Sequence, residues 1–573
     1  MITGPDYLLS RNRDTWRADR REWAHGSPRD KLSEVAMDER RALEGARRRL
    51  GVQDALWLEM DRPHNLMVVD SVIWTAEPLN FTKVRAVVEE RLINRYPVFR
   101  SRAVKDDDGV WWWEPDPDFD FGNHVSLVSL HNPDDPRALQ ELVAAHRTER
   151  LNHDHPLWQA IWVRRYGNGS AMLLRSHHAI ADGMRMVQLS MSLFDSSPQG
   201  GPIMAPAVKQ VAAQPHPPGQ PLGRRLRAAA GEVARTAGGA VSRVTGAVAD
   251  APHLLARAGQ MGRYALRNPV GMGNTLFSAA QATGAGLAHN VRAALPGGGS
   301  LVDFFSAAPG DVDTLRKLTL GTRNDVTLWT GTAGEEKSVA WSEPLSLAAV
   351  KTVAAANHCT VNDVLVATVA GTLHSYLVDH GARCSSVTFM VPVNLKPLDL
   401  TLPDTLGNDF ALVQLELPTD EPDPLKILSI AKRRMDRIKH GHEAAVAFRF
   451  QEAIAGFSHD LYEASVDLFT NRTVGTLTNV PGPPMPVYLA GSLVDGMVGW
   501  APISGDQPMS FTIYSYDGEI TVGIACDTTL VPDHEQIVNG FAAAFGRLVE
   551  ATPSAELMQI TWGGAGRGRK RKR

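Results

Sequence analysis

Cysteine is scarce. The 573-residue chain has three, Cys359, Cys384 and Cys526, too few and too scattered for a disulfide framework or a thiolate metal site. They fit a reducing, cytoplasmic setting in which each is a small buried apolar residue. Long apolar runs are also missing: no stretch reaches the about 18 consecutive apolar residues of a spanning helix. The first fifty residues are full of Arg, Asp and Glu, unlike a secretory leader. Membrane contact is therefore expected to be peripheral. There is no glycine-rich phosphate loop, no His-Glu-x-x-His and no Gly-x-Ser-x-Gly elbow. Nucleotide-phosphate, zinc-protease and serine-hydrolase chemistry are set aside, and no resident cofactor is expected.

Charge is present but unevenly spread. The formal total is −4, yet residues 201–300 hold ten Arg/Lys against Glu232 and Asp250, a local +8. The last seven residues carry six more positive charges, leaving −18 for the remainder. That short terminal run has no aromatic-lined domain beside it, so nucleic acid is not an expected partner.

Patterning divides the chain into five parts. Residues 1–50 are a polar N-terminal arm, read as helical over 38–50. Residues 51–197 are globular, with a strand at 68–74 and helical spacing over 81–96. Strands at 158–165 and 170–176 flank a Tyr-Gly-Asn-Gly hairpin signal. Residues 198–330 are a basic Ala/Gly/Pro-rich connector with helical stretches, either a solvated linker or a surface that docks on anionic lipid. Residues 331–560 are globular again, with helices at 345–357, 361–379 and 533–549, a helical region over 424–468, and strands at 387–393, 410–417, 474–479, 510–516 and 520–526. Residues 561–573 form a basic tail. Strands and helices mix without regular alternation, so an α/β fold of the α+β kind is expected, not a doubly wound sheet.

One segment carries chemistry: Ser176-His177-His178-Ala179-Ile180-Ala181-Asp182-Gly183. Two histidines end an apolar strand, an acid follows, and a glycine opens a helix. Imidazole titrates near pH 6.5, so a strand-end His in a cleft is suited to take a proton from a hydroxyl. Gly183 would let the backbone turn tightly, and Asp182 could pin the loop by pairing with an Arg. A structural or surface role for the His pair stays open. His153 and His155 lie nearby, but a strand-end loop does not align ligands on one face, and no metal is expected.

The segment His177 to Gly183 matches the HHxxxDG motif of the CoA-dependent acyltransferase superfamily, which includes chloramphenicol and carnitine acyltransferases and peptide-synthetase condensation domains. Pro156-Leu157-Trp158, Asn362-Asp363 and Asn479-Val480-Pro481-Gly482-Pro483 are similar to segments of the bacterial wax ester synthase/diacylglycerol acyltransferases. So are Asp54-Ala55-Leu56-Trp57 with Asn65-Leu66-Met67, and Tyr516-Asp517-Gly518 with Leu530-Val531-Pro532-Asp533. The resemblance covers roughly 52–196 and 331–549 in the family's order. A departure is Lys396 after Pro392-Val393-Asn394-Leu395, where many relatives carry Arg.

The resemblance implies two chloramphenicol-acetyltransferase-like domains with mixed sheets and an active-site tunnel between them. It implies acyl-CoA as donor, a substrate and not a cofactor, with diacylglycerol or a long-chain alcohol as acceptor. His178 would be the general base in a direct transfer without an acyl-enzyme. His177 would shape the loop with possible support of catalysis, and Asp182 would fix the loop. Arg100, in Arg95-Tyr96-Pro97-Val98-Phe99-Arg100, is the candidate partner of Asp182. Thr478, Asn479 and Asn362 are oxyanion or substrate candidates, although Asn362 could equally be a helix-start residue after Thr360. The expected location is cytoplasmic, peripherally attached to a membrane or lipid body. Other readings are an acyltransferase for another lipid alcohol and a catalytically weak relative that binds lipid surfaces.

Overall fold

The computed structural model describes residues 47–204, 327–394, 406–408, 410–440 and 471–553. The N-terminal half contains β1 (Arg48–Arg49), α1 (Val52–Met60), β2 (Val68–Thr75), α2 (Phe81–Val88), β3 (Ser101–Lys105), β4 (Trp111–Pro115), β5 (Val125–Val128), α3 (Pro136–Arg147), β6 (Trp158–Tyr166), β7 (Gly169–His177) and α4 (Gly183–Ser192). The C-terminal half contains β8 (Lys337–Trp341), β9 (Leu345–Ser346), α5 (Leu347–Ala356), α6 (Val361–Asp379), β10 (Ser386–Asn394), β11 (Phe410–Pro418), α7 (Pro424–His440), β12 (Gly475–Pro481), β13 (Tyr488–Leu489), β14 (Ser492–Trp500), β15 (Met509–Tyr516), β16 (Glu519–Asp527) and α8 (His534–Ala551). Most expected elements are present within a few residues. Much of the N-terminal arm, most of the connector, residues 441–468 of the expected helical region and the basic tail lie outside the described residues.

Two mixed sheets face each other. The first runs β13-β14-β2-β7-β6-β5 and the second β11-β10-β12-β15-β16-β8, with β9 beside β16. Each mixes parallel and antiparallel pairs: β5–β6, β10–β12 and β12–β15 are parallel. In the second sheet the two faces divide the labour by the period-2 rule. Phe389, Val413, Leu415, Phe511 and Ile513 pack under helices α5 to α8, while Met390, Leu412, Thr478, Thr512 and Tyr514 look the other way. The β15–β16 hairpin turns on Asp517 and Gly518, both at positive φ (46° and 80°), the pairing of a type I′ turn.

Four expectations need correction. Residues 48–49 are a short strand beside β4, not the end of a helix. The helix expected over 81–96 ends at Val88 and continues as a π turn over Glu89–Ile93 before Pro97; proline disfavours helical geometry in the residue before it. One helix, α6, is 19 residues long and apolar enough to cross a membrane by length and composition, but it is mostly buried in the core under the second sheet. It starts at a reciprocal cap in which Thr360 and Asp363 satisfy each other's backbone N–H, a motif worth about 1 kcal/mol.

The fourth concerns the boundary at 331. Strands β13 and β14 leave the second half and complete the first half's sheet, β14 pairing antiparallel with β2 from Trp500 opposite Asp70 to Val494 opposite Thr75. A shared core of Val72, Leu139, Ile161, Leu173, Val339, Trp500 and Ala525 joins the halves. Beneath it, Asp70 is buried between Arg147 (2.6 Å) and Arg175 (3.1 Å). Breaking such a buried pair by removing one partner costs about 3–5 kcal/mol. The halves are interlocked rather than strung on a connector.

Candidate active site

Strand β7 ends at His177, and the chain then leaves the sheet. The backbone is held on both sides: His177 N–H donates to Leu157 O (2.9 Å) and His178 N–H to Met67 O (2.8 Å). These bonds turn the two adjacent side chains into different surroundings.

His177 is fully buried. Its Nδ1 accepts from Ala179 N–H at 3.1 Å, so its proton sits on Nε2. That nitrogen lies 4.0 Å from Asp61 Oδ1, outside hydrogen-bond range, and has no partner. Burial pushes its pKa down to about 3, opposed by the Asp61 charge. Burial alone would raise Asp61, but the hydrogen bond from His153, the nearby His177, the Met67 N–H and Arg150 hold its carboxyl below the usual range. His177 is thus a neutral loop anchor.

His178 has the opposite tautomer. The Asn408 side chain donates through Nδ2 to Asp54 Oδ1 (2.8 Å) and to His178 O (3.0 Å). Its remaining Oδ1, 3.0 Å from His178 Nδ1, must then be an acceptor. The imidazole proton is fixed on Nδ1, and Nε2 carries a lone pair toward the cavity that His178 lines. The ring stacks on Trp57 with centroids 3.9 Å apart and planes 24° from parallel. Burial lowers its pKa to about 4, against the bond to Asn408, so the ring is neutral, with Nε2 unprotonated, across the physiological range. Asp54 is itself pushed upward by burial, against its bonds from Asn408.

The cavity, about 290 Å³, lies between the two sheets. Its walls are mainly apolar, with Val88, Leu92, Ile93 and Phe194 from the first half and Met390, Phe410 and Leu412 from the second. The π turn brings consecutive residues, Leu92 and Ile93, to the same wall. A neutral imidazole facing an apolar enclosure can accept a proton from a hydroxyl while water is held off.

The other expected residues divide. Asp182 lines the cavity but serves its own helix: Oδ1 accepts from Arg185 N–H at 2.8 Å, capping α4. Its N–H donates to Gly407 O. Arg100, its candidate partner, ends the short turn Pro97–Arg100, whose Phe99 lines the same cavity. Gly183 is not needed for a tight turn, because its φ is not positive and a Cβ there would meet nothing within 4 Å. What its missing side chain leaves is room in the cavity wall. Asn479 and Asn362 do meet, Asn479 Nδ2 donating to Asn362 Oδ1 at 2.9 Å. Asn479 and Thr478 line the cavity; Asn362 does not. Among the described residues no group of three or more His, Cys, Asp or Glu is placed to hold a metal.

Asp54, Trp57 and Asn408 are the residues the sequence reading did not assign to the site. Gly407-Asn408 reads locally as a turn before a strand, and only its distant partners give the amide a role.

The chain matches the family model of the wax ester synthase/diacylglycerol acyltransferase catalytic domain over 50–285 and that of the WS/DGAT C-terminal domain over 406–549. The chain belongs to the wax ester synthase/diacylglycerol acyltransferase family. It is an acyltransferase. The catalytic-domain match runs well into the stretch expected as connector. A Mycobacterium tuberculosis protein named as a probable diacylglycerol O-acyltransferase is 26% identical over 462 residues, covering 78% of this chain and 84% of that one. The solved wax ester synthase/diacylglycerol acyltransferase from Marinobacter aquaeolei has the same fold, with TM-score 0.55 and 16% identity over 88% of this chain and 99% of that one. The first condensation domain of the calcium-dependent antibiotic synthetase follows, with TM-score 0.50 and 14% identity over 90% of this chain and 99% of that one.

Proposed function

We propose that this acyltransferase moves a long-chain acyl group from acyl-CoA to the hydroxyl of diacylglycerol, and of a long-chain alcohol where one is supplied. The observation that carries the mechanism is the tautomer of His178: Asp54 and Asn408 hold the proton on Nδ1, leaving Nε2 as a base at the cavity wall. The acceptor hydroxyl gives its proton to Nε2 as its oxygen bonds to the thioester carbonyl carbon. The resulting oxyanion collapses, the C–S bond breaks, and the imidazolium returns the proton to the CoA thiolate. The products are an ester and free CoA. Imidazolium formation is eased by the Asn408 Oδ1 acceptor and the Trp57 face. Thr478 is the candidate donor to the oxyanion, its hydroxyl turning from Thr512 Oγ1 (3.2 Å) to do so, and Asn479, exposed beside it, is the candidate substrate contact.

Substrates this apolar are met at a lipid surface. The basic charge of residues 201–300 and of the last seven residues supports peripheral docking on an anionic membrane or lipid body, on its cytoplasmic side. Deleting 223–296 should weaken co-sedimentation with anionic vesicles; unchanged binding removes that part of the reading. The reaction is tested by mixing the purified enzyme with palmitoyl-CoA and either dioleoylglycerol or hexadecanol. Acceptor-dependent thiol release is expected together with palmitoyl-dioleoylglycerol or hexadecyl palmitate, and absence of both with every acceptor would overturn it.

A further inference from the structure

Tyr514 is 8% exposed and lines the cavity, yet among the described residues its hydroxyl has no hydrogen-bond partner. Its neighbours on the same face of β15 are different. Thr512, two residues before, accepts from Thr478 Oγ1 at 3.2 Å. Tyr516, two residues after, donates to Val494 O at 2.9 Å and accepts from Val487 N–H at 3.1 Å. Opposite Tyr514 on β12 stands Val480, which offers nothing polar. The ring packs against Gly482, where a Cβ would come within 2.6 Å of Tyr514 Cε1. A donor without a protein partner on an apolar cavity wall is free to bond an acceptor that a ligand brings.

Tyr514 also stands on a different strand from the residues beside the base. Phe410, whose ring is 5.8 Å from that of His178, is on β11, and the sheet order β11-β10-β12-β15 places Tyr514 three strands along the same cavity wall. A plain alcohol offers no acceptor besides its own hydroxyl; a diacylglycerol carries two ester carbonyls on the neighbouring carbons.

We propose that the Tyr514 hydroxyl is a specificity-determining donor to an ester carbonyl of the acceptor, favouring diacylglycerol over an unsubstituted long-chain alcohol. This rests on the reaction proposed above. The amides of the CoA pantetheine arm are the competing acceptors, and they are common to every acceptor tested.

The experiment measures kcat/KM at saturating palmitoyl-CoA for dioleoylglycerol, its dioleyl ether analogue and hexadecanol, with wild type and Tyr514→Phe. Thermal melts show that both are folded. The variant should lose about five- to tenfold with dioleoylglycerol and less than about twofold with the other two, the effect of one hydrogen bond. Wild type should discriminate against the ether analogue by a similar factor, without any mutation. Equal losses with all three acceptors, or no loss with any, overturn the assignment while leaving the acyl transfer intact. A wild type that uses hexadecanol but not dioleoylglycerol overturns the assignment and the diacylglycerol reading together; one inactive with every acceptor overturns the reaction itself.

Discussion

The two halves of the molecule are built from the same parts, a mixed sheet backed by helices, but they contribute differently to the site. The first half carries the base on the loop after β7, together with Asp54 and Trp57. The second contributes Asn408, which determines which nitrogen of that base is free. It also lends β13 and β14 to the first half's sheet. Neither half is a catalytic unit alone. The same contrast recurs within the loop: His177 and His178 are adjacent yet hold opposite tautomers, because one faces the interior of its own half and the other faces its partner.

The largest expected effect separates those two histidines. His178→Ala should lower kcat by about 10²–10⁴-fold, the contribution of a general base, with circular dichroism unchanged; thiol release from palmitoyl-CoA measures it. Next, Asn408→Ala should cost roughly 10- to 100-fold in kcat, because the ring loses the acceptor that fixes its tautomer. Wild-type activity in that variant would dissolve the division of labour between the halves.

The interlock can be strained directly. A Cβ on Gly496 of β14 would lie 2.2 Å from the Trp74 ring on β2, so Gly496→Val should cost about 1–3 kcal/mol of stability by urea unfolding. If stability is unchanged, the strand exchange is looser than its packing indicates.

Two pH experiments sharpen the contrast further. His178 works unprotonated and its pKa is held at about 4, so the acid limb of kcat/KM should fall near pH 4, with a plateau through pH 6–7. An inflection near pH 6.5 would mean that the base is solvated in the working enzyme. For His177 the readout is stability. Its folded pKa is about 3, against about 6.5 in an unfolded chain. Below pH 6.5 the unfolded chain takes up a proton that the folded one refuses, so stability is lost as pH falls from 6.5 toward 3. His177→Gln should flatten part of that decline in melts taken across the window.

Much of the fold was legible because its elements announce themselves locally. The Tyr-Gly-Asn-Gly hairpin and the 361–379 helix were expected within a residue or two of where they stand. The strands at 488–489 and 492–500 were not, since what defines them is a partner sheet more than 400 residues earlier in the chain. The site divides similarly. His178 and Asp182 stand out in a short motif, and they do line the cavity. Asp182 also caps its own helix, a role that needs only its near neighbour Arg185.

Sequence by itself pointed to the chemical class, through a strand-end histidine pair with its following acid and glycine and the resemblance of that segment to the CoA-dependent acyltransferases. It also determined where charge lies along the chain. Tertiary structure decided which histidine nitrogen is free, what orients it, and which hydroxyl in the cavity is left for a ligand. Those depend on hydrogen bonds such as Asn408 to Asp54, 354 positions apart. A bond of that span has no local signature, because its direction and strength exist only once folding has brought donor and acceptor within about 3 Å.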